Sequence, residues 1–123
     1  MATLNDRVFD NGLTVLDTEA NRIDVTSQEA ASYTEATSTY TLGNSTSLSI
    51  GAPADRSGGG REVTVEAISD GSISGTGTAT HYALVDTSNS RLLATGSLSA
   101  SQSVTSGNTF TLASFTIGIP DPS

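Results

Sequence analysis

His81 is the only histidine in the chain, and so the only side chain whose ordinary pKa suits acid–base work near neutrality. A catalytic base also needs a nucleophile or a substrate proton in reach and an orienting carboxylate. Thr80 and Asp86 lie close enough in sequence to fill those roles. However, His81 alternates in phase with Ala79, Ala83 and Val85, which puts it on an inner or interface face as a packed, hydrogen-bonded histidine. Acids gather in the N-terminal quarter at Asp6, Asp10, Asp17, Glu19 and Asp24. Calcium loops need oxygen ligands at close, regular spacing, and these acids have none, so they read as solvated charges. Glycoside hydrolysis needs only a carboxylate pair, but enzymes acting on sugars also use aromatic platforms, and this chain has no tryptophan and three tyrosines. Gly58-Gly59-Gly60-Arg61 lacks the G-x-x-x-x-G-K-[ST] spacing of a phosphate cradle and precedes a strand rather than a helix. Asn44-Ser45-Thr46 fits the glycosylation triplet by chance. No catalytic residue, cofactor or metal is expected, and the chain reads as a non-enzyme.

The elements that would position these residues are strands. Val63, Val65 and Ala67 alternate with polar neighbours, and Asp70-Gly71 supplies a turn signal. Residues 79–86 alternate again, Thr87-Ser88-Asn89-Ser90-Arg91 breaks the pattern, and Leu92, Ala94 and Gly96 resume it. Alternation bounded by Gly, Asn, Asp and Ser clusters is the hairpin signature. It predicts two consecutive hairpins within a main sheet region over 61–119. A further turn falls at Thr105-Ser106-Gly107-Asn108. The last strand changes phase between Leu112 and Phe115, as a bulge at Ala113-Ser114 would produce.

Upstream, Asn11-Gly12 favours a tight turn. Gly12–Asp17 and Asn21–Thr26 read as a short hairpin, with residues 1–12 as an irregular arm. Within residues 27–50, Gln28–Ala36 shows mild helical propensity, the text from Tyr33 onward reads as a threonine-rich exposed strand, and Leu48 and Ile50 read as a strand end. Residues 51–60 form a Gly-rich loop. The expected fold is all-β: one domain over 1–123, a small antiparallel β-sandwich or barrel-like domain.

Bulk properties narrow the function classes. Thirteen acids against five bases give a net charge of -8, which lacks the basic footprint of nucleic-acid binding. All the bases are arginines, whose planar fork suits pairing with carboxylates at interfaces. Serine and threonine together approach a third of the residues, and β-branched residues favour pleated surfaces. No stretch approaches the ~18 consecutive apolar residues of a membrane span. The N-terminus shows no basic region followed by an apolar run, so no secretory signal is expected. Cysteine is absent, which removes disulfide staples and thiolate metal sites.

NDRVFDNGLTVLDTEA, SIGAPADR, GTGTATHYALVDTSNSRLLATGSL and FTIGIPDPS together carry a resemblance over most of the chain. The sequence resembles small structural proteins encoded among the head and tail genes of tailed bacteriophages and related prophages. The resemblance implies a virion role without catalysis, most directly a head decoration (cement) protein made in the host cytoplasm. Such a protein binds the outer capsid at junctions between major-capsid subunits and is often oligomeric. The alternative is a tail- or fibre-associated protein contacting the host surface. The implied partners are the major capsid protein and further copies of the chain, with no nucleic acid and no membrane. Candidate contacts are Val8 and Phe9 in the arm, with Arg56 and Arg61 flanking the Gly-rich loop as carboxylate-seeking anchors.

Overall fold

The computed structural model describes residues 6–119. Its elements are one helix, α1 (Asp6–Glu19), and nine strands: β1 (Arg22–Thr26), β2 (Thr41–Ser45), β3 (Ala54–Asp55), β4 (Arg61–Val65), β5 (Ile68–Ile73), β6 (Gly77–Asp86), β7 (Arg91–Val104), β8 (Thr109–Leu112) and β9 (Phe115–Ile119). Six strands form an antiparallel sheet in the order β7-β6-β1-β2-β5-β8, curled into a half-barrel. The other three form a small sheet, β3-β4-β9. The chain is a small all-β domain, as its alternation predicts.

The N-terminal region is where expectation fails. Residues 12–17 are helical, so neither the irregular arm from Asp6 onward nor the first hairpin exists. In a strand, Leu13 and Val15 would share a face; here Leu13 and Leu16, three apart, are buried while Val15 is exposed. That spacing belongs to one face of a helix. The two leucines join the main core, and α1 lies across β4 and β6. Residues 1–5 lie outside the described residues. So do the side chains of Asp6 through Asp10, which include the candidate contacts Val8 and Phe9.

The main core fills the space between the curled sheet, the small sheet and α1. Ile23 and Val25 of β1, Leu84 of β6, Val63 and Val65 of β4, and Phe110 of β8 all contribute to it. A second, smaller cluster sits on the opposite face of the large sheet. There residues 27–40 fold over Ala83 and Val85, burying Ala30 and Ala36 beneath Tyr33 and Tyr40. This cover contains a π-helical turn, Glu35–Thr39, in place of the exposed strand expected from Tyr33. A reciprocal cap opens it: Ser32 Oγ accepts from the Glu35 N–H at 3.2 Å, and Glu35 Oε1 accepts from the Ala31 N–H at 2.8 Å.

Several turn readings also need correction. Asp70-Gly71 is no turn but lies within β5, beside an irregularity in its pairing with β8. The phase change at Ala113-Ser114 is no bulge within one strand. The chain crosses there from the large sheet (β8) to the small one (β9), so each strand points its apolar side chains in its own phase. The 61–119 region is therefore shared between two sheets. By contrast, the break at 87–91 is a hairpin turn, with Asp86 paired opposite Arg91.

Asp86 holds that turn. Its Oδ1 accepts from the Ser88 N–H at 3.0 Å and its Oδ2 from the Asn89 side-chain amide at 2.8 Å. The Asn89 amide first of all, helped by the Ser88 N–H and the Arg91 charge, holds this carboxyl below the usual carboxylate range. A depressed folded pKa adds stability above the unfolded value of about 3.9, and this is lost as pH falls through the folded pKa. Asp86→Asn should therefore lower the thermal midpoint at neutral pH. The variant should then lose less than the parent between about pH 5 and pH 2. Parallel acid limbs in a pH series of thermal melts would show that Asp86 contributes nothing to acid sensitivity.

Candidate functional site

The chemistry-bearing residues of the sequence are dispersed by the fold. A β-bulge between Ala79 and His81 splits their common phase, so Ala79 enters the main core while His81 sits beside Thr26 on the other face. The Thr80 hydroxyl donates to Ser27 O at 3.0 Å and lies 2.8 Å from His81 Nδ1. With its one proton committed to Ser27, that hydroxyl accepts from an Nδ1–H of His81. Asp86, at the far end of β6, is bound to its own turn. The ring is thus held locally by Thr80, and Asp86 does not orient it.

The N-terminal acids part company in the same way. Asp17 is exposed on α1, and Glu19 Oε1 lies 3.6 Å from Arg91 Nη1. Asp24 is fully buried and bidentate with Arg22, at 2.7 and 2.8 Å, and also accepts from the Thr41 hydroxyl at 2.7 Å. The Asp24 hydrogen bond raises the Arg22 guanidinium pKa further above its ordinary value. Asp70, held low by the hydroxyls of Ser47 and then Ser45, ties β5 to β2. Among the described residues no group of three or more His, Cys, Asp or Glu side chains is arranged to hold a metal ion. No helix among them is long and apolar enough to cross a membrane.

Arg56 and Arg61 find partners inside their own loop. Arg61 Nη1 donates to Asp55 Oδ1 at 2.6 Å and Nη2 to Pro53 O at 3.3 Å; Arg56 Nη1 donates to Gly59 O at 3.0 Å. The stem of Arg56 lies over Gly118 of β9. Gly58, Gly59 and Gly60 all take positive φ, a run closed to L side chains, and this tight return pairs β3 with β4. The two arginines staple the Gly-rich loop to the small sheet.

The concave feature that remains lies at the seam of the half-barrel. Its edges, β7 and β8, are not joined by a ladder; Gln102 Nε2 of β7 reaches across to Thr111 O of β8 at 3.1 Å. Beside that bridge β7 departs from its partner. Ala79 pairs with Gln102 and His81 with Ser97, so Thr80 alone faces residues 98–101. This arch and the β8–β9 crossing wall a groove of about 310 Å³. Tyr82 and Phe115 line it with ring centroids 4.5 Å apart, and the Tyr82 ring takes the space that a Cβ at Gly96 would need. Burial pushes the Tyr82 phenol pKa up.

No family model, curated protein or solved structure matches this chain.

The seam groove escaped sequence reasoning because it depends on a mismatch in strand length. The LSAS segment of β7 reads as regular alternation, and only pairing with the shorter β6 forces it outward. Ser and Ala at those positions were the available signal, since small residues tolerate an arch with little to bury.

Proposed function

We propose that this chain is a structural component of a tailed-phage virion, most directly a head decoration protein that adheres to the outer face of the major capsid lattice. The observation that carries the reading is the free rim of β7. This strand of 14 residues is a sheet edge, and no described strand pairs with its outer side. A long uncovered edge is a template for a further strand, which natural proteins normally cover or blunt. Its Arg91–Gly96 portion keeps regular pairing with β6 on the inner side apart from one irregularity near Leu92. A capsid segment added there would supply the missing ladder bonds. The acidic surface keeps free copies apart in solution and leaves docking to hydrogen bonds and apolar contact. The N-terminal segment is a poorer clamp, because α1 contributes Leu13 and Leu16 to the core. Removal of residues 1–12 would disturb the fold as well as any contact.

The test is co-sedimentation of the purified chain with heads of the phage or induced prophage that encodes it, alongside the mass of the free chain by light scattering. Saturable binding at a fixed ratio to the major capsid protein is expected. Thr95→Lys places a charge on the rim, where Thr95 meets Glu29 at 3.3 Å and a lysine could pair with it without loss of fold. It should weaken head binding at least tenfold with the thermal midpoint preserved. Unchanged binding by this variant would remove the β7 rim as the docking element. A chain that ignores heads would belong elsewhere in the particle, with the tail next to be tested.

A further inference from the structure

The seam groove and the β7 rim are different surfaces, and the groove has a chemistry of its own. No side chain lining it carries a formal charge at neutral pH. Its apolar part is the Tyr82–Phe115 pair together with Leu98, Ala100, Leu112 and Ala113. Around that pair stand the hydroxyls of Ser97, Ser114, Thr116 and Tyr82, none with a side-chain hydrogen bond to another described residue, and Gln102, whose Oε1 stays available while Nε2 holds Thr111 O. Tyr82 is half-buried, and its hydroxyl, at the polar end of an otherwise apolar ring, is open to exchange a hydrogen bond with a ligand.

These features limit the ligand. The absence of charge in the lining favours a neutral molecule over a phosphate, carboxylate or ammonium, whose burial needs a countercharge. The volume falls at the low end of small-ligand pockets. Strand addition is disfavoured at this point, because the arch at 98–101 breaks the row of ladder groups that an extended peptide would use. A molecule with a C–H face to lay on aromatic carbon and a rim of hydroxyls to exchange hydrogen bonds with serine, threonine, tyrosine and glutamine fits both halves of the lining. We propose that the seam groove binds a neutral saccharide of one or two rings, its ring face on Tyr82 and Phe115 and its hydroxyls on the surrounding side-chain oxygens. This binding does not depend on the docking of the β7 rim to a capsid, and either can fail while the other holds.

The experiment is an NMR titration of the ¹⁵N-labelled full chain with glucose, galactose, N-acetylglucosamine and the disaccharides cellobiose, lactose and chitobiose, each into the tens of millimolar. At least one should give saturable shifts confined to residues 97–102 and 112–116. Tyr82→Phe keeps the ring on Gly96 and Phe115 and removes only the hydroxyl, so it should fold with an unchanged thermal midpoint. It should bind the same sugar about three- to tenfold more weakly, the loss expected for one neutral hydrogen bond. Saturable shifts in none of the six titrations would overturn the assignment. Equal affinity in the parent and Tyr82→Phe would place the sugar outside the groove and overturn it too. A Ser/Thr-rich extended peptide that shifts residues 97–102 and resists displacement by sugar would hand the groove to peptide recognition instead.

Discussion

Arg22→Met is expected to cost the fold about 3 kcal/mol, read as a fall in the urea midpoint at an unchanged slope. Asp24 is fully buried on β1, and its two oxygens are held by the Arg22 guanidinium and by the Thr41 hydroxyl. Methionine has roughly the length and apolar stem of arginine, so the covering by residues 27–40 keeps its packing and the change isolates the charge. What remains is a carboxylate out of water with one hydroxyl donor, and breaking a buried pair in this way typically costs ~3–5 kcal/mol. The low end applies because 23% of the Arg22 side chain is exposed, so water reaches part of the site. Arg22→Met/Asp24→Val removes both charges and supplies a β-branched residue suited to a central strand. Thr41 keeps Gly43 O as an acceptor at 3.2 Å, so this double variant should recover most of the loss. A single-variant loss below about 1 kcal/mol would show that the pair behaves as a surface salt bridge.

Gly71→Ala is the second large effect, at about 3 kcal/mol, near the upper end of what overpacking a core costs. Gly71 pairs directly across from Phe110, and the Phe110 ring occupies the space where a Cβ would stand. Phe110 is a buried member of the main core, 3% exposed, so shifting its ring means displacing packed neighbours. The methyl must therefore push the ring off its rotamer or part β5 from β8. Phe110→Leu shortens the obstacle and costs stability by itself. In that background Gly71→Ala should cost under about 1 kcal/mol, a coupling of the size contacting residues show. Equal costs of Gly71→Ala in both backgrounds would mean that the glycine is needed for its backbone conformation and not for the ring. Since β8 carries Thr111, the acceptor of the Gln102 bridge, the same variant should also loosen the seam.

The parts of the fold that could be read in advance share one property: their signal is local. The hairpin at Asp86–Arg91, the turn at 105–108 and the Gly-rich return at 58–60 depend on side chains that set φ or bond their own backbone, within a few residues. The cover over Ala83 and Val85 was half-legible. Ser32 and Glu35 form a capping pair in the S-x-x-E pattern, a start signal present in the sequence but followed by threonine-rich text that reads as strand. At the site, the phase read for His81 holds toward Ala83 and Val85 but not toward Ala79, because the irregularity at 79–81 turns Ala79 into the main core. Arg56 and Arg61 read from sequence as carboxylate-seeking anchors; within the chain Arg61 meets the Asp55 carboxylate, whereas Arg56 meets the Gly59 carbonyl of the same loop.

Sequence alone determined the class of this protein: period-2 alternation, hydroxyl-rich faces and turn residues admit little but an antiparallel sheet fold with an acidic surface. Tertiary structure decided everything that rests on which partner a segment meets. GLTVLD alternates well enough for a strand, and it is a helix because the space between β4 and β6 is closed by two leucines on one helical face. The phase change at 113–114 looks the same in sequence whether a strand bulges or leaves its sheet, and only the position of β4 as the partner of β9 distinguishes them. The seam groove exists because β6 and β7 differ in length between two fixed pairs, a quantity that belongs to neither strand by itself. Local chemistry sets turns and faces over a few residues, whereas pairing between distant strands is chosen by the burial available to the whole chain.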